Sequence, residues 1–263
     1  MDSTALRYVA APARRQAIIE QVRTHGFCSI AGLAGELNVS EMTVRRDARL
    51  LDSLGHVRVV HGGVSLPPGQ DFGAREHANP GPKGLLGAAA GRLVGPGDTI
   101  AVDAGTTTRH LMSALPPEFT GSVVTNSVPV IQSVLARPGT RCVALGGDLY
   151  APSQAFVGPA SVDAAAGLRV RWFFLGAAAV DERGCYGVYD MERPTKQALM
   201  AIADRVVLMV DSTKFHGSAP VLLAPLDRLH TVVTDTAPPE AFRDAARAAG
   251  VRLLVADETQ APA

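Results

Sequence analysis

Apolar side chains recur at helical spacing in three stretches of the first 54 residues, which predicts three short helices. The predicted helices cover residues 13–24, residues 30–39 after the N-cap candidate Ser29, and residues 41–54 after the N-cap candidate Ser40. Four apolar residues share one side of the third helix: Val44, Ala48, Leu51 and Leu54. Weak alternation over residues 57–61, followed by two glycines, predicts a hairpin wing.

Polar and arginine side chains occupy most of the remaining circumference of the third helix: Thr43, Arg45, Arg46 and Arg49. Two short helices joined by a tight turn, the second bearing arginines at its start, are typical of a helix-turn-helix motif that enters the major groove. The alternative is a small helical interaction domain with a solvated arginine face.

Strand and helix patterns alternate from Lys83 onward. Helices are predicted at residues 84–94, 108–115, 128–136, 159–166, 194–203 and 238–249, and strands at 99–103, 122–126, 141–145, 172–177, 205–210, 231–234 and 252–255. This order predicts an α/β fold with a doubly wound, mostly parallel sheet. Because residues 65–82 are rich in proline and glycine, we predict three parts: a winged helix-turn-helix domain at 1–64, a linker at 65–82 and the α/β domain at 83–263.

Ligands of such sheets bind beyond the carboxyl ends of the strands, where polar residues gather in this sequence. After the strand at 99–103, Gly105 and the hydroxyls of Thr106, Thr107 and Thr108 precede a helix, which is the pattern of an anion site. The alternative is that these threonines only cap the helix. The residues found after the other predicted strands are Thr125 and Asn126, 146–148, Gly176, 211–214 and 234–235.

Composition and charge narrow the function classes. With 47% hydrophobic residues and 25 basic against 25 acidic residues, the chain has a globular composition and no net field that attracts nucleic acid or membrane, so any anion site is local. The three cysteines are far apart and form no metal or disulfide pattern, so we expect no metal and no cofactor. No signal or membrane-spanning segment is visible, which predicts a cytoplasmic protein with no membrane partner.

Lysine is rare in this chain: Lys83, Lys196 and Lys214 are the three lysines among 25 basic residues. A compact ammonium is not interchangeable with a guanidinium where space is tight, so these lysines are candidate ligand contacts. The alternative for Lys196 is a helix salt bridge with Glu192, four residues earlier.

The first domain resembles the winged helix-turn-helix of the DeoR family of bacterial transcriptional regulators. The resemblance rests on residues 39–47, which contain Thr-Val-Arg-Arg-Asp, and on the downstream His61 and its two glycines. Two positions depart from the family pattern: Ala48 replaces the usual leucine, and residues 59–60 lack a common arginine. The predicted DNA contacts are Ser40, Thr43, Arg45, Arg46, Arg49, Arg58 and His61.

The second domain resembles the sensor domain of the same family, which is similar in fold to ribose phosphate isomerase, glucosamine phosphate deaminase and coenzyme A transferases. The resemblance implies a phosphorylated sugar as effector. The predicted effector contacts are Asp103, Gly105, Thr106, Thr107, Thr108, Asn126, Gly147, Glu192, Lys196, Asp211 and Lys214.

The sequence thus predicts a DNA-binding regulator, a repressor of carbohydrate metabolism genes, that is not an enzyme. Because one winged helix reads only a few base pairs, we expect a homo-oligomer, a dimer or a tetramer, on a double-stranded operator. Two alternatives stay open. One is a sugar phosphate isomerase-like enzyme with an accessory domain, in which Asp103, Glu192, Asp211 and His216 supply acid and base; the other is a protein-interaction adaptor.

Overall fold

The computed structural model describes residues 11–25, 27–54, 56–60, 62–65 and 72–256. The chain forms two compact units that divide between residues 70 and 71. We call them the winged unit and the sensor unit, and each is described by itself.

The winged unit contains three helices and a three-stranded antiparallel sheet. Its elements are α1 (Ala11–His25), β1 (Phe27–Ser29), α2 (Ile30–Glu36), α3 (Glu41–Ser53), β2 (Arg58–Val60) and β3 (Gly63–Ser65). The strand order is β1-β3-β2, so the predicted wing is present and gains β1, a strand that the sequence pattern did not predict. Ser29 and Ser40 are the N-caps of α2 and α3, as predicted.

The core of the winged unit confirms most of the predicted apolar sides. Ile18, Val22, Leu33, Val44, Ala48 and Leu51 are all buried. The prediction for Leu54 is wrong, because α3 ends at Ser53 and the Leu54 side chain, at the C-cap, is 59% exposed. Gly26, Gly55 and His61 lie outside the described residues.

The sensor unit alternates strands and helices. Its helices are α4 (Phe72–His77), α5 (Pro80–Gly91), α6 (Thr106–Arg109), α7 (Leu111–Ala114), α8 (Val128–Leu135), α9 (Pro159–Ala166), α10 (Arg193–Ala201) and α11 (Glu240–Ala248). Its strands are β4 (Thr99–Val102), β5 (Ser122–Thr125), β6 (Arg141–Ala144), β7 (Asp148–Tyr150), β8 (Ala155–Val157), β9 (Val170–Gly176), β10 (Ala179–Asp181), β11 (Gly184–Gly187), β12 (Ala203–Met209), β13 (Val221–Pro225), β14 (Thr231–Thr234) and β15 (Arg252–Val255).

Seven strands form one parallel sheet in the order β15-β14-β12-β9-β4-β5-β6. The central strand β9 shows why both faces are covered by helices. Phe173 and Leu175 pack into the core on one face, whereas Trp172 and Phe174 pack into the core on the other. The predicted doubly wound α/β fold is therefore confirmed.

Two small antiparallel sheets accompany the main sheet and were not predicted. One has the order β10-β11-β13, and the other is the β7–β8 hairpin. Their strands are three to five residues long, too short to give a clear alternation of apolar and polar residues.

The structure differs from the sequence prediction over the predicted linker, residues 65–82. Helix α4 and the start of α5 lie within this stretch. Prolines can occupy the first turn of a helix, since their missing N–H has no partner there in any case, and Pro80 begins α5 in this way. Phe72 of α4 is buried, so this part of the chain packs onto the sensor unit.

The predicted helix at 108–115 is instead two short helices, α6 and α7, with His110 between them. Helix α5 lies close to this junction, as a Cβ atom built on Gly87 would be 2.7 Å from the carbonyl carbon of His110.

Within the described residues, no helix is both long and apolar enough to span a bilayer.

Candidate functional site

The start of α3 is ordered by its own hydroxyl groups. The Ser40 hydroxyl accepts a hydrogen bond from the Thr43 amide at 3.2 Å, and the two side-chain oxygens lie 2.9 Å apart. These predicted DNA contacts therefore also fix the first turn of the helix.

The arginines of α3 are exposed but are not equivalent. Arg45 forms a 3.1 Å ion pair with Glu41, whereas Arg46 and Arg49 have no hydrogen bond or ion pair within the described part of the chain. Arg58 on β2 is exposed as well. The structure thus places three of the four predicted arginine contacts on α3 and the fourth on the wing.

Asp47, the residue after Arg46 in α3, is buried in the winged unit. Its carboxylate receives hydrogen bonds from Arg14 at 2.6 Å and Arg15 at 2.8 Å, both on α1. Burial favours a higher pKa for Asp47, but the hydrogen bonds and positive charges of the two arginines outweigh it and lower the pKa. Asp47 therefore fastens α3 to α1, a role that the sequence did not reveal.

In the sensor unit, Asp103 lies at the end of β4 and is fully buried. Its Oδ2 accepts hydrogen bonds from the Lys196 ammonium at 2.5 Å and from the Gly176 amide at 3.1 Å. Lys196 is on α10 and Gly176 ends β9, so three elements meet at this carboxylate.

The Lys196 ammonium also lies 3.8 Å from Glu192, the helix partner suggested by sequence. Burial lowers the pKa of Lys196, but the carboxylates of Asp103 and Glu192 outweigh burial and raise the pKa above its ordinary value. Glu192 also accepts a hydrogen bond from Ser153, which precedes β8. The charged lysine is thus tied mainly to Asp103 and only secondarily to Glu192.

A second charged group follows β12. The Lys214 ammonium lies 3.8 Å from Oδ2 of the buried Asp211, whose Oδ1 accepts hydrogen bonds from the Thr213 amide and hydroxyl. Burial favours a raised pKa for Asp211, but Lys214, Thr213 and Lys83 outweigh it and lower the pKa.

Lys83, absent from the predicted effector contacts, belongs to this second group. Its side chain is buried and donates hydrogen bonds to the carbonyl oxygens of Arg75 and Ala78. Burial and the nearby charge of Lys214 lower the pKa of Lys83 to about 8, although Asp211 partly opposes them. The scarcity of lysine in the sequence had already made Lys83 a candidate ligand contact.

The three threonines that follow β4 differ in whether their hydroxyl groups are already hydrogen-bonded. Thr108 donates its hydroxyl to the carbonyl oxygens of Asp103 and Gly105, both at 2.8 Å. The hydroxyls of Thr106 and Thr107 make no hydrogen bond to any described residue, although both side chains are buried. The Thr108 hydroxyl therefore holds the backbone of the loop and does not cap the helix, contrary to the alternative interpretation, and the other two hydroxyls stay available.

Asn126 directly follows β5, Gly147 directly precedes β7, and both lie against β8. The Asn126 amide donates to the Phe156 carbonyl at 2.9 Å. Gly147 has φ of +113° and packs so closely that a Cβ atom would be 2.6 Å from the Val157 carbonyl oxygen. Ser153, shortly before β8, donates a hydrogen bond to Glu192. The β7–β8 hairpin therefore links the Asn126 and Gly147 side of the site to the Glu192 side.

Three buried acceptor oxygens at these strand ends have no hydrogen-bond donor among the described residues: Asp103 Oδ1, Asn126 Oδ1 and Asp211 Oδ2. Leaving a buried polar group without a partner costs roughly 1 to 3 kcal/mol. The arrangement combines acceptor oxygens, which suit ligand hydroxyls, with the Lys83 and Lys214 ammonium groups, which suit an anion. Within the described residues, no group of His, Cys, Asp and Glu side chains is arranged to hold a metal ion.

Helix α4, the first described element of the sensor unit, is attached to the segments around this cluster. Lys83 binds the Arg75 carbonyl, Arg75 donates to the Pro152 carbonyl at 3.4 Å, and Glu76 forms an ion pair with Arg109 of α6. Helix α4 is therefore held against segments of the sensor unit that carry ligand-binding candidates.

A winged helix with exposed arginines, joined to an α/β unit with a polar cluster at its strand ends, defines the class of two-domain DNA-binding regulators. Residues 14–68 match the DeoR-like helix-turn-helix domain, and residues 78–236 match the DeoR C terminal sensor domain. The chain belongs to the DeoR family of transcriptional regulators.

Curated relatives match over most of both chains. The uncharacterized HTH-type transcriptional regulator YgbI of Escherichia coli K12 is 32% identical, over 92% of this chain and 97% of its own. The glycerol-3-phosphate regulon repressor of the same strain is 28% identical, over 86% and 91%. The L-fucose operon activator of Haemophilus influenzae is 27% identical, over 86% and 93%.

Among solved structures, ribose 5-phosphate isomerase A of Methanocaldococcus jannaschii is similar at 19% identity with a TM-score of 0.39. The match spans 52% of this chain and about half, 55%, of that isomerase.

Proposed function

We propose that this regulator represses carbohydrate metabolism genes and that a phosphorylated sugar, bound at the carboxyl ends of the sheet strands, controls its affinity for the operator. The relatives include a glycerol-3-phosphate regulon repressor and a putative aga operon repressor, which supports a carbohydrate-linked signal. Winged helices bind one half-site each, so we expect a homo-oligomer on paired half-sites.

The observation that carries the effector proposal is the combination of buried acceptor oxygens and lysines at the strand ends. Asp103, Asn126 and Asp211 offer acceptors for sugar hydroxyls. Lys83 and Lys214 offer positive charge for a phosphate, and the hydroxyls of Thr106 and Thr107 add donors. A neutral sugar would leave two buried or half-buried ammonium groups without an anionic ligand.

We infer that the cluster binds its ligand without turnover. The Asp103 carboxylate, one of the candidate bases in the enzyme alternative, accepts hydrogen bonds from the Lys196 ammonium and the Gly176 amide on the same oxygen. Incubation with ribose, fructose and glucosamine phosphates should therefore leave these compounds unchanged. Isomerisation by the purified protein that Asp103→Asn abolishes would favour the enzyme alternative.

The test uses the full chain with two binding partners. A duplex from the region upstream of its own gene should be retarded in a gel shift, and a scrambled duplex of equal length should not. A thermal-shift panel of phosphorylated sugars and their unphosphorylated counterparts should raise the midpoint only with one or a few phosphorylated members, because a ligand bound by the native state stabilises it. Equal shifts with the unphosphorylated counterparts would contradict the phosphate requirement.

A further inference from the structure

Met42 is the second residue of α3, and its side chain is 74% exposed. Single exposed apolar residues are common on protein surfaces, so exposure alone says little. What distinguishes Met42 is its place on the helix that carries the arginines.

The helix geometry puts Met42 in the middle of the outward face of α3. An α-helix turns about 100° per residue, so Met42 and Arg49, seven positions apart, point within about 20° of each other. Arg45 and Arg46 flank them, three and four residues after Met42. The buried side chains of α3 define the opposite face: Val44, Asp47, Ala48 and Leu51. The outward face is therefore an apolar side chain bordered by three arginines.

Other side chains at the start of α3 are already engaged within the winged unit. Ser40 and Thr43 contact each other, and Glu41 pairs with Arg45. Met42 has no such partner among the described residues.

In helix-turn-helix proteins the first residues of the second helix lie against base edges in the major groove. The apolar group that the major groove offers is the C5-methyl of thymine. We propose that Met42 packs against the C5-methyl group of a thymine in the operator and that it determines the base preference at that position. The proposal rests on the proposed operator binding through α3.

The test removes one methyl group at a time from the DNA. A bound duplex from the chain's own upstream region is trimmed to the protected sequence, and each thymine is replaced in turn by deoxyuridine, which lacks only the C5-methyl. At one thymine per half-site, the affinity of the wild-type protein should fall about fourfold, the effect of burying one methyl-sized apolar group.

The protein variants identify the side chain that reads the methyl. Met42→Ala should weaken binding to the thymine duplex and show no further loss with deoxyuridine at that position, whereas Met42→Leu should keep the deoxyuridine effect. Leu54→Ala, which also shortens an exposed apolar residue of this unit but at the C-cap of α3, serves as the matched control and should bind like wild type.

A deoxyuridine effect that survives in Met42→Ala, or its absence at every thymine in the wild type, would overturn the proposal for Met42 while leaving operator binding intact. If the wild-type protein binds no duplex from this region or from a random pool, operator binding itself fails, and the proposal fails with it.

Discussion

The Lys196 ammonium lies 2.5 Å from Oδ2 of Asp103, although 93 residues separate the two in the chain. Their side chains are 8% and 1% exposed, so this is a buried ion pair that joins α10 to the end of β4. Removing one partner of a buried pair leaves an uncompensated charge, which is more costly than losing both.

We therefore predict that Lys196→Met lowers the free energy of unfolding of the sensor unit by about 3 to 5 kcal/mol. The double variant Lys196→Met with Asp103→Asn should lose less than the sum of the two single variants. Urea unfolding followed by fluorescence reports this unit alone, since Trp172 is the one tryptophan in the chain. Arg247→Met, in the exposed pair with Asp244, is the control and should change little. Additive losses would mean that the pair is not coupled.

The winged unit depends on a similar buried contact, between Asp47 and the two α1 arginines. Asp47→Asn should weaken the attachment of α3 to α1, because Arg14, 3% exposed, would lose its carboxylate partner. Hydrogen exchange of α1 and α3 amides should quicken, while the Trp172 unfolding transition stays in place. Asp244→Asn is the matched surface control.

This contact also has a predictable pH dependence. The pKa of Asp47 is lowered in the folded state, so its contribution to stability is fully present above the unfolded pKa of about 4 and is lost as the pH falls through the folded value. Protection of the winged unit should therefore decline on acidification in the wild type more than in Asp47→Asn. Equal declines would contradict this account.

The sequence predicted the fold where apolar patterns were long. The apolar run of β9 and the helical spacing of apolar residues in α3 are examples. A strand buried on both faces is apolar throughout, and a helix buried on one face has apolar residues at helical spacing, so both can be recognised in the sequence. Helix α4 was missed because its neighbours are proline and glycine, and its stability comes from tertiary contacts such as the burial of Phe72.

The sequence indicated which residue types belong to the candidate site but not which of these residues contact each other. Helical spacing offers Glu192 as a partner for Lys196, yet the closer partner is Asp103 on another element. Similarly, nothing in the spacing of Arg14 and Asp47 shows that they meet. Pairs that depend on the packing of separate elements leave no local pattern in the sequence, so these two ion pairs could be found only in the structure.

The exposed arginines of α3 should carry much of the operator affinity. Arg46 has no partner in the described part of the chain, so Arg46→Ala should cost about 1 to 3 kcal/mol of operator binding if the guanidinium contacts a base. Arg169→Ala, an arginine on the surface of the sensor unit, should bind like wild type. Unchanged operator affinity in the combined Arg45→Ala and Arg46→Ala variant would refute DNA binding through α3.

Lys214 and Thr107 should decide whether the regulator detects its effector. We predict that Lys214→Arg and Thr107→Val each strongly weaken sugar phosphate binding in calorimetry, with operator binding in the absence of effector near wild type. The guanidinium is larger and directs its donors differently, and valine removes a hydroxyl that makes no bond within the described residues.

Thr108→Val provides the contrast to Thr107→Val, because the Thr108 hydroxyl holds the backbone of the loop. It should lower the thermal midpoint of the ligand-free protein, whereas Thr107→Val should not. Normal sugar phosphate affinity in both Lys214→Arg and Thr107→Val would refute the proposed site.

Lys83 should make effector binding depend on pH in the alkaline range. Because the pKa of Lys83 is about 8, the folded protein loses this positive charge as the pH rises through 8. A sugar phosphate loses its second proton near pH 6 and keeps two negative charges at higher pH. Affinity for the sugar phosphate should therefore be highest between about pH 6 and 8 and fall toward pH 9.5, and Lys83→Gln should lack the alkaline decline.

The stability of the ligand-free sensor unit should change with pH in the opposite direction to the effector affinity. In the unfolded chain Lys83 keeps its proton up to about pH 10.5, so between the two pKa values the unfolded state binds more protons and the ligand-free sensor unit gains stability as the pH rises. A bound phosphate would raise the pKa of Lys83 and shift this gain to higher pH. Calorimetry and urea unfolding of the same samples at pH 7, 8.5 and 9.5 check both signs, and affinity that stays constant over this range in the wild type would exclude Lys83 as a contact of the anion.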